Sequence, residues 1–281
     1  MSGTIGLVLT ATLAPRVGVE PFFIDLVAGL EDVLMPAGGM VLLLVVEDTA
    51  EELATYERWA ADRTVDAVVV VNLVHGDARP ARLVALGLPA VLAGRCPGPA
   101  GLSSVVADNA GAIRAAMKLL AGLGHHTIGR VSGPAALLHT AERTAEMRAC
   151  AQRLRVGVRI VEADYSAEAG VRAARRLLAG PEPLTAIVFD NDVMAVAAEE
   201  DLVRSGVAVP DQVSLLAGDD STLCELAMPP LSAMSIDVHE HGVTLGRAVL
   251  DVLDGEPHRV YPGPPIQVRL RASTGPAPSA G

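Results

Sequence analysis

The 281-residue sequence predicts an α/β protein made of two doubly wound parallel-sheet lobes. Three observations predict it. The short β-branched runs are apolar throughout instead of alternating, as strands buried on both faces are. Stretches of helical period separate them. The β, α, β, α beat also runs through about twice, which favours two lobes over one very large sheet.

Residues 4–9 form the first buried strand. Over 22–33, Phe23, Leu26, Val27 and Leu30 fall at i, i+3, i+4 and i+7 and predict a helix. Residues 41–46 are the next strand. Helix 50–61 follows, with Leu53, Tyr56, Trp59 and Ala60 on its apolar face. Strand 67–71, a helix near 80–86 and strand 89–92 continue the series. The second series starts near Val105, where Asp108 or Asn109 caps a helix over 110–123. Its Ile113, Ala116, Met117, Leu120 and Leu123 share one stripe, and Gly124 stops it. Strand 127–131, helix 141–153, strand 159–162, helix 167–179, strand 186–189, helix 193–205 and strand 214–217 follow. The tail adds strand 231–234, helix 241–253 and strand 267–270. Elements supplied after both series are complete mean that the chain crosses between the lobes more than once.

Charge narrows the function. Lys and Arg number 22 against 33 Asp and Glu, so 22 − 33 gives a net charge of −11 and a pI near 5.1. Such a chain does not hold nucleic acid by its bulk charge, which requires a basic face. Cys96, Cys150 and Cys224 are far apart and form no CxxC, which suits a reducing compartment. The start has no basic n-region or long apolar h-region, and no apolar run is long enough to span a bilayer. A cytoplasmic protein with no membrane partner is expected.

Enzymatic signatures are missing from the sequence. It holds no GxGxxG after the first strand, no Walker A, no GxSxG and no HExxH, so no cofactor, no metal and no enzymatic activity are expected. His125-His126 and His239-Glu240-His241 lack the i, i+4 spacing that aims two imidazoles at one ion. Polar residues do gather at predicted strand ends, where open α/β sheets bind ligands. Asp219-Asp220 follows strand 214–217. It could accept hydrogen bonds from sugar hydroxyls, serve acid/base chemistry, or cap the next helix. Asn191-Asp192 occupies the equivalent place, with a helix cap as its plain alternative. Arg143 lies just inside a helix, as a solvated side chain or a ligand clamp. Tyr165 follows a strand, to stack on a ligand or to pack, and Phe22-Phe23 reads as core first.

Taken together, these segments resemble the effector-binding core of the LacI/GalR family. The resemblance rests on TIGLVLT with Pro21-Phe22-Phe23, LPAVLAGR (88–95), VVADNAGAIRAAMKLLAGLGHHTIG (105–129) and AERTAEM (141–147). It continues in EADYSAEAGVRAARRLL (162–178), VFDNDVMAVAA (188–198), GVAVPDQVSLLAGDDS (206–221) and MPPLSAMSID (228–237), all in the family's order. It implies a periplasmic-binding-protein-like fold with a three-crossover hinge around a cleft. The implied lobes are 4–107 with 238–262 and 108–237 with 263–275, leaving 276–281 as a frayed tail. It further implies a homodimer that controls transcription in response to a small polar, sugar-like effector.

Carried over position by position, the resemblance makes Arg143 the ligand clamp and Asp219 the acceptor. Asn191 and His139 become polar contacts, Tyr165 a stacking aromatic, and Phe22 or Phe23 a wall of the first lobe. Two departures stand out. The family's aromatic before the last cleft aspartate is here Gly218, and the loop over 10–19 is longer. Operator DNA would be reached only through an N-terminal helix-turn-helix head, nothing like which precedes Thr4. The alternative is a sugar-binding receptor of a transporter, which shares this fold.

Overall fold

The computed structural model describes residues 3–11, 20–97, 101–180 and 183–278. The chain divides into two compact units, 1–107 with 236–265 and 108–235 with 266–281, and so passes between them three times. In chain order the first unit carries β1 (Thr4–Thr10), α1 (Pro21–Leu34), β2 (Met40–Val46), α2 (Thr49–Asp62), β3 (Ala67–Val70), α3 (Arg79–Leu86), β4 (Ala90–Ala93) and β5 (Ser103–Val106). The second carries α4 (Asn109–Gly122), β6 (Thr127–Ser132), α5 (Leu138–Leu154), β7 (Gly157–Glu162), α6 (Ala167–Leu178), β8 (Ala186–Phe189), α7 (Asp192–Arg204), β9 (Ser214–Ala217), α8 (Thr222–Leu226) and β10 (Ser232–Ser235). The chain then returns with α9 (Val238–Leu253) and β11 (Val260–Pro262) to the first unit, and with β12 (Gln267–Arg269) to the second.

Each unit is one six-stranded sheet. The first runs β11-β5-β4-β3-β1-β2 and is parallel throughout. The second runs β12-β10-β9-β8-β6-β7, parallel except for β12 against β10. Burial on both faces explains the unbroken apolar strands: all four residues of β3 are fully buried. In the first unit Ile5, Leu7 and Leu9 of β1 pack with Leu26 and Leu30 of α1 and Leu245 and Val249 of α9. In the second, Ile128, Val188 and Leu216 from three strands meet Ile113 and Met117 of α4 and Met147 of α5. No helix among the described residues is long and apolar enough to cross a membrane.

Caps set the helix starts. Asp48 accepts from Glu51 N at 2.9 Å, Asp108 from Gly111 N at 2.7 Å, and Asp237 from Glu240 N at 2.9 Å. Asp108, not Asn109, therefore caps α4. Two starts differ from the sequence expectation. Helix α5 begins at Leu138, three residues early, because Leu137 before it has no capping side chain to signal the start. Helix α9 begins at Val238 because its cap is Asp237.

The chain changes units at 235/236 and 265/266, so 236–237 and 263–265 lie with the first unit. Nor are the described residues of the expected frayed tail loose. Ala277 N donates to Leu123 O at 2.8 Å. The fully buried His125 reaches Thr185 Oγ1 at 2.8 Å and Gly275 O at 3.1 Å, a structural role for that histidine. Of the long loop over 10–19, residues 12–19 lie outside the described residues.

Among the described residues, one buried carboxylate lacks full compensation. Glu199 on α7 is 1% exposed, and its Oε1 has no hydrogen-bond partner. Burial alone pushes its pKa from 4.5 up to about 7. Because the carboxyl ionises less readily folded than unfolded, its contribution to stability is fully present below 4.5 and is lost as pH rises through about 7. The second unit should therefore lose up to about 3 kcal/mol between pH 5 and pH 8. Glu199→Gln should flatten that slope, as read from urea melts across the range. A slope identical in the variant would assign the loss to other groups.

Candidate ligand-binding site

In the second unit, β6, β7, β8 and β9 run parallel, so their carboxyl ends share one edge of the sheet. The chain leaves these strands through Gly133, Ala163–Tyr165, Asp190-Asn191 and Gly218-Asp219. Helix α5 starts beside that edge, and its early start adds His139 and Thr140 to the first turn, next to Arg143.

A buried arginine organises this end. Arg130, in the middle of β6, is fully buried. Its guanidinium forks onto Asp190, Nε to Oδ1 at 2.7 Å and Nη2 to Oδ2 at 2.6 Å, while Nη1 donates to Thr144 Oγ1 at 2.9 Å. Gly133 N also donates to Asp190 Oδ2, at 2.9 Å. Burial opposes ionisation of Asp190. The charges of Arg130 and Arg143, with these hydrogen bonds, nevertheless hold its pKa below the ordinary value.

Arg143 is set on top of this pair. Its Nε donates to Asn109 Oδ1 at 3.0 Å and its Nη1 to Asp190 O at 3.4 Å, with Asp190 Oδ2 4.0 Å away. Its side chain is 21% exposed. Beside it, His139 Nε2 and Tyr165 OH are 2.9 Å apart, with Thr140 Oγ1 3.4 Å from the same hydroxyl. Burial and the Arg143 charge push His139 down to about 3, so it is a neutral donor and acceptor at physiological pH. Burial first, then the Asp190 charge, raises Tyr165.

The structure thus brings Arg143 and His139 together in the first turns of α5, with the Asp219 charge acting on both Arg143 and Tyr165. Other expected contacts change role. Asn191 is 2% exposed: its Oδ1 accepts from Met194 N at 3.0 Å as the cap of α7, and its Nδ2 donates to Tyr165 O at 3.2 Å. It holds the loop. Tyr165 is buried with its hydroxyl between His139 and Thr140 and supports His139. In the first unit, Phe23 is a core residue beside Leu26 and Leu30. Only Phe22, edge-on to it at 5.3 Å between ring centres, is partly exposed.

Asp220 is ion-paired to Arg271 at 2.6 Å and Arg269 at 3.3 Å. Ser221, not Asp219 or Asp220, caps α8. Sequence reasoning missed Arg130, Asp190, Asn109 and Thr140. The available signal was Arg130 itself, a charge inside an apolar strand that needs a buried partner. Among the described residues no group of three His, Cys, Asp or Glu side chains could hold a metal ion.

Two close approaches shape the walls. A Cβ at Gly133 would strike the Tyr165 ring and hydroxyl. One at Gly218 would come within 2.5 Å of Asp190 O and 2.6 Å of Phe189 O. The family's aromatic at this position has no room here. Gly218→Ala should cost about 1–3 kcal/mol by forcing two backbones apart. Thermal melting would register this, and an unchanged midpoint would refute the close approach.

The comparisons with known proteins agree with this architecture. The periplasmic binding protein-like domain family matches residues 117–274, more than half of the chain. The transcriptional regulator CelR of Thermobifida fusca is 29% identical over 263 residues, 90% of this chain and 75% of that protein. AglR of Rhizobium meliloti is 30% identical over 290, covering 98% and 79%. A solved LacI family regulator from Bifidobacterium animalis superposes with a TM-score of 0.88 at 32% identity, covering 98% of both chains. A solved CelR–cellobiose complex gives 0.82 at 28%, covering 96% and 84%. These relatives are regulators and not transport receptors, and the chain belongs to the LacI family of transcriptional regulators, whose periplasmic-binding-protein-like sensing domain it carries.

Proposed function

We propose that Arg143, His139 and Asp219 bind a small polyhydroxylated, sugar-like effector, and that its binding alters how a DNA-binding head of the full regulator engages its operator in the cytoplasm. The observation that carries this reading is the outer edge of Arg143, anchored behind on Asn109 and Asp190 and flanked by a neutral imidazole and a carboxylate. Donors and acceptors so interleaved match hydroxyl groups, each of which donates once and accepts twice. The cellobiose held by the CelR structure supports a sugar. Enzymatic chemistry has no support: Asp220 is committed to arginines, and the relatives are regulators.

A thermal-shift panel of neutral mono- and disaccharides, with cellobiose first, tests this. Free ligand at 100 times Kd should add roughly 2.7 kcal/mol. Arg143→Ala should lower the affinity at least about tenfold, through the loss of charge-assisted hydrogen bonds. A shift retained in full by that variant would place the site elsewhere.

The same reading takes the functional form as a homodimer. Strand β2 is the open edge of the first sheet, yet Met40, Leu42, Leu43 and Val45 lie exposed along it, Met40 at 61% and Val45 at 50%. A bare apolar edge invites uncontrolled pairing, and a second copy of this chain is the occupant that would cover it symmetrically. Light scattering should give twice the chain mass, and Leu43→Glu with Val45→Glu should give the monomer. A monomeric unsubstituted chain would rule this interface out.

A further inference from the structure

Charged groups of both signs surround Arg143. Arg130 and Asp190 balance each other as a buried pair, at 0% and 1% side-chain exposure. Arg143 stands 4.0 Å from the Asp190 carboxylate and under the charge of Asp219. His139 and Tyr165 share a hydrogen bond between uncharged groups. Two guanidiniums thus meet the carboxylates of Asp190 and Asp219, with that of Glu142 also acting on Arg143. Asp190 cannot turn away, because both of its oxygens lie in the Arg130 fork and Gly133 N holds one of them.

We propose that these carboxylates restrict the effector to an uncharged polyhydroxy compound, and that Asp190, locked by Arg130, is the residue that imposes the restriction. The inference rests on Arg143 being the ligand clamp. A hydroxyl on the outer edge of Arg143 can accept from the guanidinium and donate towards Asp219. A carboxylate or phosphate there is an acceptor only, and it meets Asp219 beside the clamp and Asp190 behind it. In a partly buried site such like-charge encounters are poorly screened. An arginine that would otherwise recruit anions is thereby reserved for hydroxyls. Acidic sugars and sugar phosphates are turned away while their neutral parents are accepted.

The test follows the Arg143 Nε–H signal by NMR as inorganic phosphate, D-glucuronate or cellobiose is added. In the unsubstituted chain neither anion should move it. Asp190→Asn keeps the side-chain shape and leaves the site one positive charge richer, so phosphate affinity should rise at least about tenfold. That variant leaves Arg130 buried with a neutral partner and could fail to fold. Asp219→Asn, at a half-exposed turn, removes the second carboxylate and carries the same expectation. Phosphate or glucuronate binding the unsubstituted chain as tightly as the variants would overturn the inference. Anion binding gained in the variants, with no neutral sugar bound by the unsubstituted chain, would support the charge restriction and remove the sugar reading.

Discussion

The second unit depends on one ion pair, Arg130 with Asp190. A guanidinium in the middle of a central parallel strand is costly to desolvate, and it persists only because its donors are met. Asp190 takes two parallel hydrogen bonds and Thr144 a third. Such a pair adds little net stability over an apolar isostere, but losing one member leaves an uncompensated buried charge, at a cost of about 3–5 kcal/mol. Its value here is geometric. The fork ties β6 to the end of β8, the Gly133 N–H draws in the loop after β6, and the Asp190 carbonyl receives Arg143 from α5. Segments of β6, α5 and β8 are aligned by one residue.

Backbone proximity accompanies that alignment. Because β8 and β9 are neighbours, the chain at Gly218 passes so near the Asp190 and Phe189 carbonyls that no side chain fits between them. Tyr165 makes another close approach. It adopts a left-handed backbone with φ 67°, uncommon for a bulky residue, and lies over Gly133 with its carbonyl held by Asn191. Its strain is stored where the loop after β7 meets His139 of α5.

The fold was legible in the sequence because parallel strands buried on both faces leave unbroken apolar runs, and because Asp48, Asp108 and Asn191 write their caps into it. The start of α5 was not, since Leu137 carries no cap and the first turn, with His139, looked like loop. The site was legible in part. Arg143 and Asp219 stand at strand and helix ends where polar residues draw notice. Their organiser was hidden, because Arg130 and Asp190 lie 60 residues apart and only folding makes them a pair. Asn191 shows the reverse limit: cap and ligand contact have the same signature in sequence, and only burial separates them.

A sensor must do more than bind. An effector shifts an equilibrium only by the difference in its affinity for the two arrangements, typically 1–3 kcal/mol in coupled systems. On the proposed reading, a rigid clamp would serve this requirement. With Arg143 fixed on Asn109 and Asp190, and His139 fixed on Tyr165, little of the binding energy is lost in ordering the second unit itself. The energy of the remaining contacts can then act on the rest of the chain, which leaves and re-enters this unit at three points. Preorganisation on one side of a two-unit chain thus makes a small difference in affinity usable as a signal.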